Sequence, residues 1–300
     1  MTKFIATIFL FVGFMSVSFA QPFVDVFNTK FQYFPSGKFQ NEPKNNISST
    51  HWSTSVLVPI EKKNKDVVII GMTYSVLNFK VKDDPTYSSS LRSTAVQFGY
   101  KKQWKNEKWK TLFMLISKVN SNLTNVTSRD YQVGGAVIFN YKKKDNLRLH
   151  FGAYYNREYF GNFIIPLLGI EWKVNENLNL FGDLPNSLNL EKKLGKMFYA
   201  GIIFQSTTSS YRPGNTIYTN DFVREGQKGI GHNQIKLHVN YYITNHFVVY
   251  AEVGHTYKRN FQLFRDKTEI NLPYSAYRKT TDTFLVSGGL AYRFRLDTKK

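Results

Sequence analysis

Apolar and polar side chains alternate along short segments throughout this chain, and the clearest case is residues 283–296, near the C-terminus. Successive side chains of a β-strand point to opposite sides, so such alternation sorts residues onto two faces. One face carries Phe284, Val286, Leu290, Tyr292 and Phe294, and the other carries Ser287, Gly289, Ala291, Arg293 and Arg295. The first face suits lipid and the second suits water, so this strand requires a different environment on each side.

The same alternation recurs in thirteen further segments, which predicts fourteen strands in all. The others are residues 24–34, 52–60, 67–80, 91–104, 109–119, 131–141, 147–157, 163–174, 177–182, 187–193, 197–205, 235–243 and 247–258. Short connections alternate with longer ones, apart from a tight turn at Pro185. This pattern predicts an all-β fold, a closed antiparallel up-and-down transmembrane β-barrel with short periplasmic turns and both termini in the periplasm. Residues 177–193 are short for a spanning hairpin, so twelve strands is the alternative.

Residues 1–20 have the layout of a cleavable secretory signal: Lys3, an apolar run, and small residues ending at Ala20. We therefore expect residues 21–300 to form a single barrel domain that is exported to the bacterial outer membrane. The chain has no cysteine, which excludes disulfides, thiolate metal ligands and a cysteine nucleophile.

Composition agrees with a barrel and excludes several other classes. Aromatic residues make up 16% of the chain although its mean hydropathy is −0.35. A chain of this kind enters a bilayer only through closed strands with alternating faces. A soluble β-sandwich or lipocalin-like barrel also alternates, but fourteen aromatic-rich strands exceed the needs of one small core. The net charge of +19 is scattered and no nucleic-acid-binding motif accompanies it, so we expect no nucleic-acid partner.

The last strand also carries a recognisable motif. Ser287, Gly289, Tyr292 and Phe294 match the polar-x-Gly-x-x-aromatic-x-aromatic pattern that closes bacterial outer-membrane β-barrels. The chain resembles that family over its whole mature length, and the resemblance implies that these residues form the signal read by the barrel-assembly machinery. The sequences LNLFGDLPNSLNL (residues 178–190) and YRF (292–294) are similar to a group of such barrels of uncharacterised function. The chain continues to Lys300, whereas many members end on the closing aromatic residue.

No catalytic, cofactor or metal site emerges from the sequence. Nucleophile-elbow, zincin, P-loop and dinucleotide-binding motifs are absent, and the six histidines are isolated. Some outer-membrane barrels are lipid hydrolases with a serine and a histidine on the outer wall. His255 lies on the lipid-side alternation, but no matched serine and orienting group accompany it.

The inward faces of the predicted strands carry the better functional signal. The candidates for lining the lumen are Lys30, Lys101, Arg148, His150, Glu171, Lys236, His238, Glu252, Arg293 and Arg295. This excess of positive charge predicts an anion-favouring passive channel. The alternative is a plugged structural or interaction barrel whose outer loops bind lipopolysaccharide or a protein, and a lipid-modifying enzyme ranks below both. The expected partners are outer-membrane lipids, lipopolysaccharide, the assembly machinery and small anionic solutes, with no cofactor.

One hairpin permits a prediction of register. A three-residue loop at residues 243–245 would pair Tyr242 with His246 and therefore Lys236 with Glu252. Both side chains would then face the lumen as a directly opposed ion pair.

Overall fold

The computed structural model describes residues 22–38, 46–82, 89–123, 126–159, 161–212, 222–225, 232–259, 261–264 and 280–296. The predicted signal at residues 1–20 lies outside these ranges. Among the described residues, no helix combines the length and apolarity that crossing a membrane requires.

Fourteen of the described strands close into one antiparallel barrel, as the alternation predicts. They are β1 (Phe23–Lys38), β2 (Asn46–Glu61), β3 (Val67–Val81), β4 (Ser89–Gln103), β5 (Trp109–Ser121), β6 (Tyr131–Lys144), β7 (Leu147–Glu158), β8 (Gly161–Lys173), β9 (Leu178–Leu184), β10 (Ser187–Lys193), β11 (Phe198–Thr207), β14 (His232–Tyr242), β15 (Phe247–Tyr257) and β17 (Phe284–Arg295). Each pairs with its neighbours along the chain, and β1 pairs with β17 to close the barrel. The count is fourteen because the short hairpin β9–β10 takes a full place in the sheet.

Three further strands lie outside the barrel sheet. These are β12 (Ser209–Tyr211), β13 (Phe222–Glu225) and β16 (Phe261–Phe264), which form a small antiparallel sheet in the order β12-β13-β16. Two of them come from the connection between β11 and β14, and the third from the connection between β15 and β17. The sheet therefore belongs to the end of the barrel that carries the longer connections, which we call the loop end. The opposite end, called the short-turn end, carries the short connections, the start of β1 and the end of β17.

One connection at the loop end is shorter than the sequence suggests. Only residues 159–160 separate β7 from β8, because β7 extends to Glu158 and β8 begins at Gly161. The Tyr159 hydroxyl donates to the carbonyl oxygens of Asn120 (2.9 Å) and Asp130 (3.0 Å). These hydrogen bonds tie the tight connection to the ends of β5 and β6.

The outer wall of the barrel is a continuous apolar surface. Ile164 and Leu168 are 69% and 68% exposed, and the other strands contribute exposed aromatic and aliphatic side chains at many of their outward positions. Aromatic contacts run between neighbouring strands of this wall, as between Phe139 and Phe151 (5.4 Å between ring centroids). An apolar surface of this extent is unfavourable in water and favourable against acyl chains. The fold therefore exposes to lipid the faces that the alternation assigns to lipid.

Candidate functional site in the barrel interior

The ten lumen-lining candidates all point away from the apolar outer wall. Lys101, His150, Lys236, His238, Glu252 and Arg293 are buried, whereas Lys30, Arg148, Glu171 and Arg295 are partly buried. Charges are rarely buried unless they are paired, so the contacts of these side chains decide what the interior can do.

Glu252 on β15 is the centre of the largest cluster. Its carboxylate accepts hydrogen bonds from Lys30 Nζ at 2.7 Å, from Lys236 Nζ at 2.9 Å and from Ser287 Oγ at 2.8 Å. Lys236, which is only 1% exposed, also donates to Gln205 Oε1 at 2.7 Å. One carboxylate thus links β1, β17, β15 and β14, which are consecutive neighbours in the barrel wall.

The predicted register of this hairpin is wrong by two residues. Lys236 lies opposite Gly254, and Glu252 lies opposite His238. The physical cause is Thr244, whose hydroxyl accepts hydrogen bonds from the N–H groups of His246 (3.3 Å) and Phe247 (3.0 Å). The loop is therefore closed by Ile243 and Phe247, one residue later than predicted. A shift of two keeps every side chain on its face, so Lys236 reaches Glu252 diagonally rather than directly.

Several other inward cations also meet carboxylates. Arg293 forms two hydrogen bonds with Asp25 (2.5 and 2.9 Å), and Arg295 donates to Glu191 at 2.8 Å. Further pairs are Arg148–Glu171 (2.8 Å), Lys118–Glu158 (2.8 Å) and His150–Asp183 (3.1 Å). Sequence reasoning missed Asp25, Glu158, Asp183 and Glu191. Extending the alternation to the strand ends and through the short hairpin would have found Glu158, Asp183 and Glu191. Strict alternation places Asp25 on the same face as the lipid-facing Phe27, and a β-bulge between these two residues turns Asp25 inward to Arg293.

The two sides of the lumen differ in packing. On β14 and β15, the inward side chains are buried from Gln234 to Tyr242 and from Val248 to Glu252. On β5–β8, Leu167 is buried, but most inward side chains in the middle of the barrel are only half-buried and mostly apolar: Met114, Ile116, Ala136, Ile138, Tyr154 and Ile165. We call the inward side of β14 and β15 the packed wall and the inward side of β5–β8 the open wall. Side chains that face inward yet remain accessible line space inside the barrel.

Strand β12 packs against inward-facing residues of the barrel wall at the loop end. Ser210 is fully buried, and its N–H (3.2 Å) and hydroxyl both donate to Glu158. The N–H of Tyr159 donates to Ser210 Oγ at 3.1 Å, and Asn120 Nδ2 donates to Ser210 O at 3.0 Å. The next residue, Tyr211, packs in a buried cluster with residues of β2, β3 and β4: Ile47, Leu77, Phe79, Val81 and Leu91. The contacts of β12 therefore extend over neighbouring strands of the wall, from β2 to β7.

Aromatic and apolar side chains meet across part of the barrel interior at the short-turn end. Phe23 on β1 meets Phe181 on β9 with 5.7 Å between ring centroids, although these strands are far apart in the barrel order. The guanidinium of Arg295 lies 3.8 Å from the Tyr199 ring centroid. Val24, Val67 and Ile69 form a further buried cluster.

A basic cavity remains open at this end, beside the open wall. It has a volume of about 440 Å³ and is lined by Glu61, Lys65, Gln103, Glu107, Lys108, Lys110, Asn140, Lys142 and Arg148. Five of these residues are cationic and two are acidic. Arg148 belongs to the candidates named from the sequence, whereas the four lysines were missed because three of them belong to turns or strand ends. We call this cavity the short-turn pocket.

The turn next to this pocket is held by Asp66, which lies outside the membrane-spanning strands. Burial raises the pKa of this carboxyl. Hydrogen bonds from the Tyr100 hydroxyl (2.5 Å), the Gln103 N–H (2.8 Å) and Asn64 Nδ2 (2.7 Å) outweigh that effect and hold the pKa below its ordinary value. The ionised side chain therefore fastens this turn to β4.

The assembly-signal residues lie at the closing seam. Ser287 and Gly289 face inward, and a Cβ at Gly289 would meet the Tyr250 ring at 2.5 Å and the Thr29 carbonyl oxygen still closer. Tyr292 and Phe294 contact each other at 5.4 Å between ring centroids, and Phe294 also packs on His246 at 4.5 Å. Their recognition by the assembly machinery stays a prediction.

Neither a metal cluster nor a serine–histidine pair is evident in the part of the chain that the structure describes. No group of three metal-ligating side chains occurs among those residues. His255 on the outer wall contacts the Thr256 carbonyl oxygen through Nδ1 at 2.7 Å and the Phe284 ring at 5.7 Å.

The closed antiparallel sheet, the apolar outer wall and the charged interior define a transmembrane β-barrel of the kind found in bacterial outer membranes. Within that class, the chain belongs to the family described as Domain of unknown function (DUF6268), whose model matches residues 16–293. No curated protein sequence matches the chain.

Several solved barrels are similar in shape. The COG4313 outer membrane channel from Pseudomonas putida F1 is 7% identical with a TM-score of 0.48, covering 90% of this chain and 96% of that one. Outer membrane phospholipase A from Escherichia coli is 11% identical with a TM-score of 0.39, covering 94% and 96%. The NanC porin is 9% identical with a TM-score of 0.39, covering 89% and 98%. At these scores and identities, the likenesses carry no assignment of function to this chain.

Proposed function

We propose that this protein is an outer-membrane channel for small solutes, with a passage that follows the open wall and favours anions. The observation that supports it is the difference in packing between the two walls. Interior residues of a fully plugged barrel bury one another on all sides, whereas Met114, Ile138 and Ile165 face inward and stay accessible. The packed wall serves as the rigid side of the passage.

The charges of the interior favour anions at one place rather than along the whole lumen. The pairs of Lys30 and Lys236 with Glu252, and of Arg293 with Asp25, leave only one surplus positive charge among these five groups of the packed wall and the adjoining strands β1 and β17. The surplus of positive charge is concentrated in the short-turn pocket. A basic mouth concentrates anions locally and repels small cations, so it sets selectivity without a charged passage.

Strand β12 would act as the closure of this channel at the loop end. The position of β12 depends on Ser210, which donates hydrogen bonds to the buried Glu158 carboxylate and accepts one from the Asn120 amide. Removing the Ser210 hydroxyl leaves Glu158 short of one donor and weakens the closed arrangement.

Conductance in planar bilayers tests the proposal. The purified barrel should show rare openings, and Ser210→Ala should open more often, whereas Ser209→Ala on the same strand should behave like the wild type. Ile138→Trp on the open wall should lower the conductance of open channels, and Val137→Trp, which places the same bulk in lipid, should not. Under a salt gradient across the bilayer, the sign of the reversal potential should show that anions pass more readily than cations.

A closed interaction barrel is the second candidate, and the sheet β12-β13-β16 at the loop end is the observation that favours it. Such a protein would bind lipopolysaccharide or a protein partner there. Silence of the wild type, Ser210→Ala and Ile138→Trp alike, with each shown to be folded, would favour this candidate over the channel.

A further inference from the structure

The short-turn pocket has the features of a binding site rather than only of a charged rim. Lys110, Asn140 and Arg148 occupy inward positions of β5, β6 and β7, and Lys65 and Lys108 project from the neighbouring turns. Three strands and two turns thus converge on one concavity of about 440 Å³, which falls in the size range of small-molecule sites.

Like charges in this pocket lie close together. Lys101 is buried behind it, within electrostatic reach of Lys110, Arg148 and Glu171. Glu171 is in direct contact with Arg148 at 2.8 Å. Neither Lys108 nor Lys110 has a carboxylate within 4.0 Å among the residues that the structure describes. Clustered cations destabilise a fold unless an anion compensates them, and such clusters mark functional sites.

A buried polar atom belongs to a residue next to the pocket lining. Arg148 is followed two positions later by His150, whose Nε2 is buried without a hydrogen-bond partner in the described part of the chain. His150 lies directly opposite Asn140, which lines the pocket. An imidazole nitrogen is a suitable ligand for an oxyanion when it carries a proton.

We propose that the short-turn pocket binds a small multivalent oxyanion, bearing phosphate or carboxylate groups, that enters from the aqueous mouth of the barrel. Its strand residues lie on the lumen face, so a free solute reaches them more directly than a lipid headgroup on the outer wall. Lys108 and Lys110 would supply charge-assisted hydrogen bonds, and Arg148 would offer its remaining N–H groups. This site goes beyond conduction, because binding requires no open passage.

Calorimetric titration of the full-length barrel in a neutral detergent tests the proposal, with pyrophosphate and citrate as probes at constant ionic strength. We expect saturable binding with one anion per barrel. Lys110→Gln should weaken it about tenfold, which corresponds to about 1.4 kcal/mol. Lys108→Gln should weaken anion binding several-fold. If Lys110→Gln does not fold, the binding measured with Lys108→Gln tests the proposal instead. The matched control is Lys63→Gln, an exposed turn lysine that does not line the pocket.

The source of the anion is distinguished by a third probe, short-chain phosphatidylglycerol below its micelle concentration. Binding of this lipid without binding of pyrophosphate or citrate would overturn the proposal in favour of a headgroup site. Heat that never saturates, or an equal loss in Lys63→Gln, would show unspecific charge attraction and would also overturn it. A barrel that shows no conductance in bilayers but binds pyrophosphate would support this binding site and contradict the proposed channel.

Discussion

Replacing Glu252 by glutamine tests the ion-pair network of the packed wall. The substitution keeps the size of the side chain and removes its charge. Lys236, at 1% exposure, and the partly buried Lys30 would then share one neutral amide in place of a carboxylate. Breaking a buried pair from one side costs about 3–5 kcal/mol, because it leaves a buried charge without compensation. We expect a loss of about 3–5 kcal/mol in the free energy of unfolding, at the lower end if Gln205 keeps its hydrogen bond with Lys236.

Urea unfolding in lipid vesicles, followed by tryptophan fluorescence, measures this loss. The matched control is Glu107→Gln, which removes the carboxylate of an exposed pair with Lys65 (3.1 Å) and should leave the free energy of unfolding nearly unchanged, because water screens this pair. Adding Lys236→Met to Glu252→Gln removes the more deeply buried of the two lysines left without a carboxylate and should recover at least half of the lost stability. A Glu252→Gln barrel within about 1 kcal/mol of the wild type would refute the network, since such a loss matches an exposed pair.

Three further predictions concern the seam, the outer wall and a turn. Gly289→Leu should abolish folding into vesicles because its Cβ would collide with Tyr250 and Thr29, whereas Gly288→Ala next to it, with one ordinary contact at 3.4 Å, should fold. Ile164→Lys should cost about 2–4 kcal/mol in vesicle unfolding if this side chain lies near the bilayer midplane, and a neutral result would place it outside the apolar layer. Asp66→Asn should destabilise the barrel at pH 7. Because the folded pKa of Asp66 lies below its ordinary value of 3.8, this difference should shrink as pH falls from that value through the folded pKa, and a difference that persisted in acid would contradict the assignment.

Much of the fold was predictable because alternation is a local property. The fourteen strands, including the seven-residue β9 and β10, follow from runs of alternating residues and the turns between them. The assignment of Tyr241 to lipid and Tyr242 to the interior needs no knowledge of any other strand, because neighbours along one strand must face opposite ways.

The candidate site was predictable only as a set of inward-facing residues. Arg295 contacts Glu191 and Tyr199 across the interior of the closed barrel, and Phe23 contacts Phe181 there in the same way. No local pattern links such residues, since their separation in space depends on the strand order and stagger of the whole sheet. The burial of Ser210 beneath the loop end likewise follows from the path of a long connection.

The sequence by itself determined which side of the wall the strand residues face wherever no β-bulge interrupts the alternation, and tertiary structure decided which residues meet. The hairpin β14–β15 shows why. Its register moved by two residues through hydrogen bonds of Thr244, so Lys236 kept its inward face and lost its predicted direct partner. A period of two distinguishes odd shifts from even ones and cannot separate one even shift from another. Turn geometry and closure of the barrel make that choice, and they thereby set the ion pairs of the packed wall and the surplus charge of the short-turn pocket.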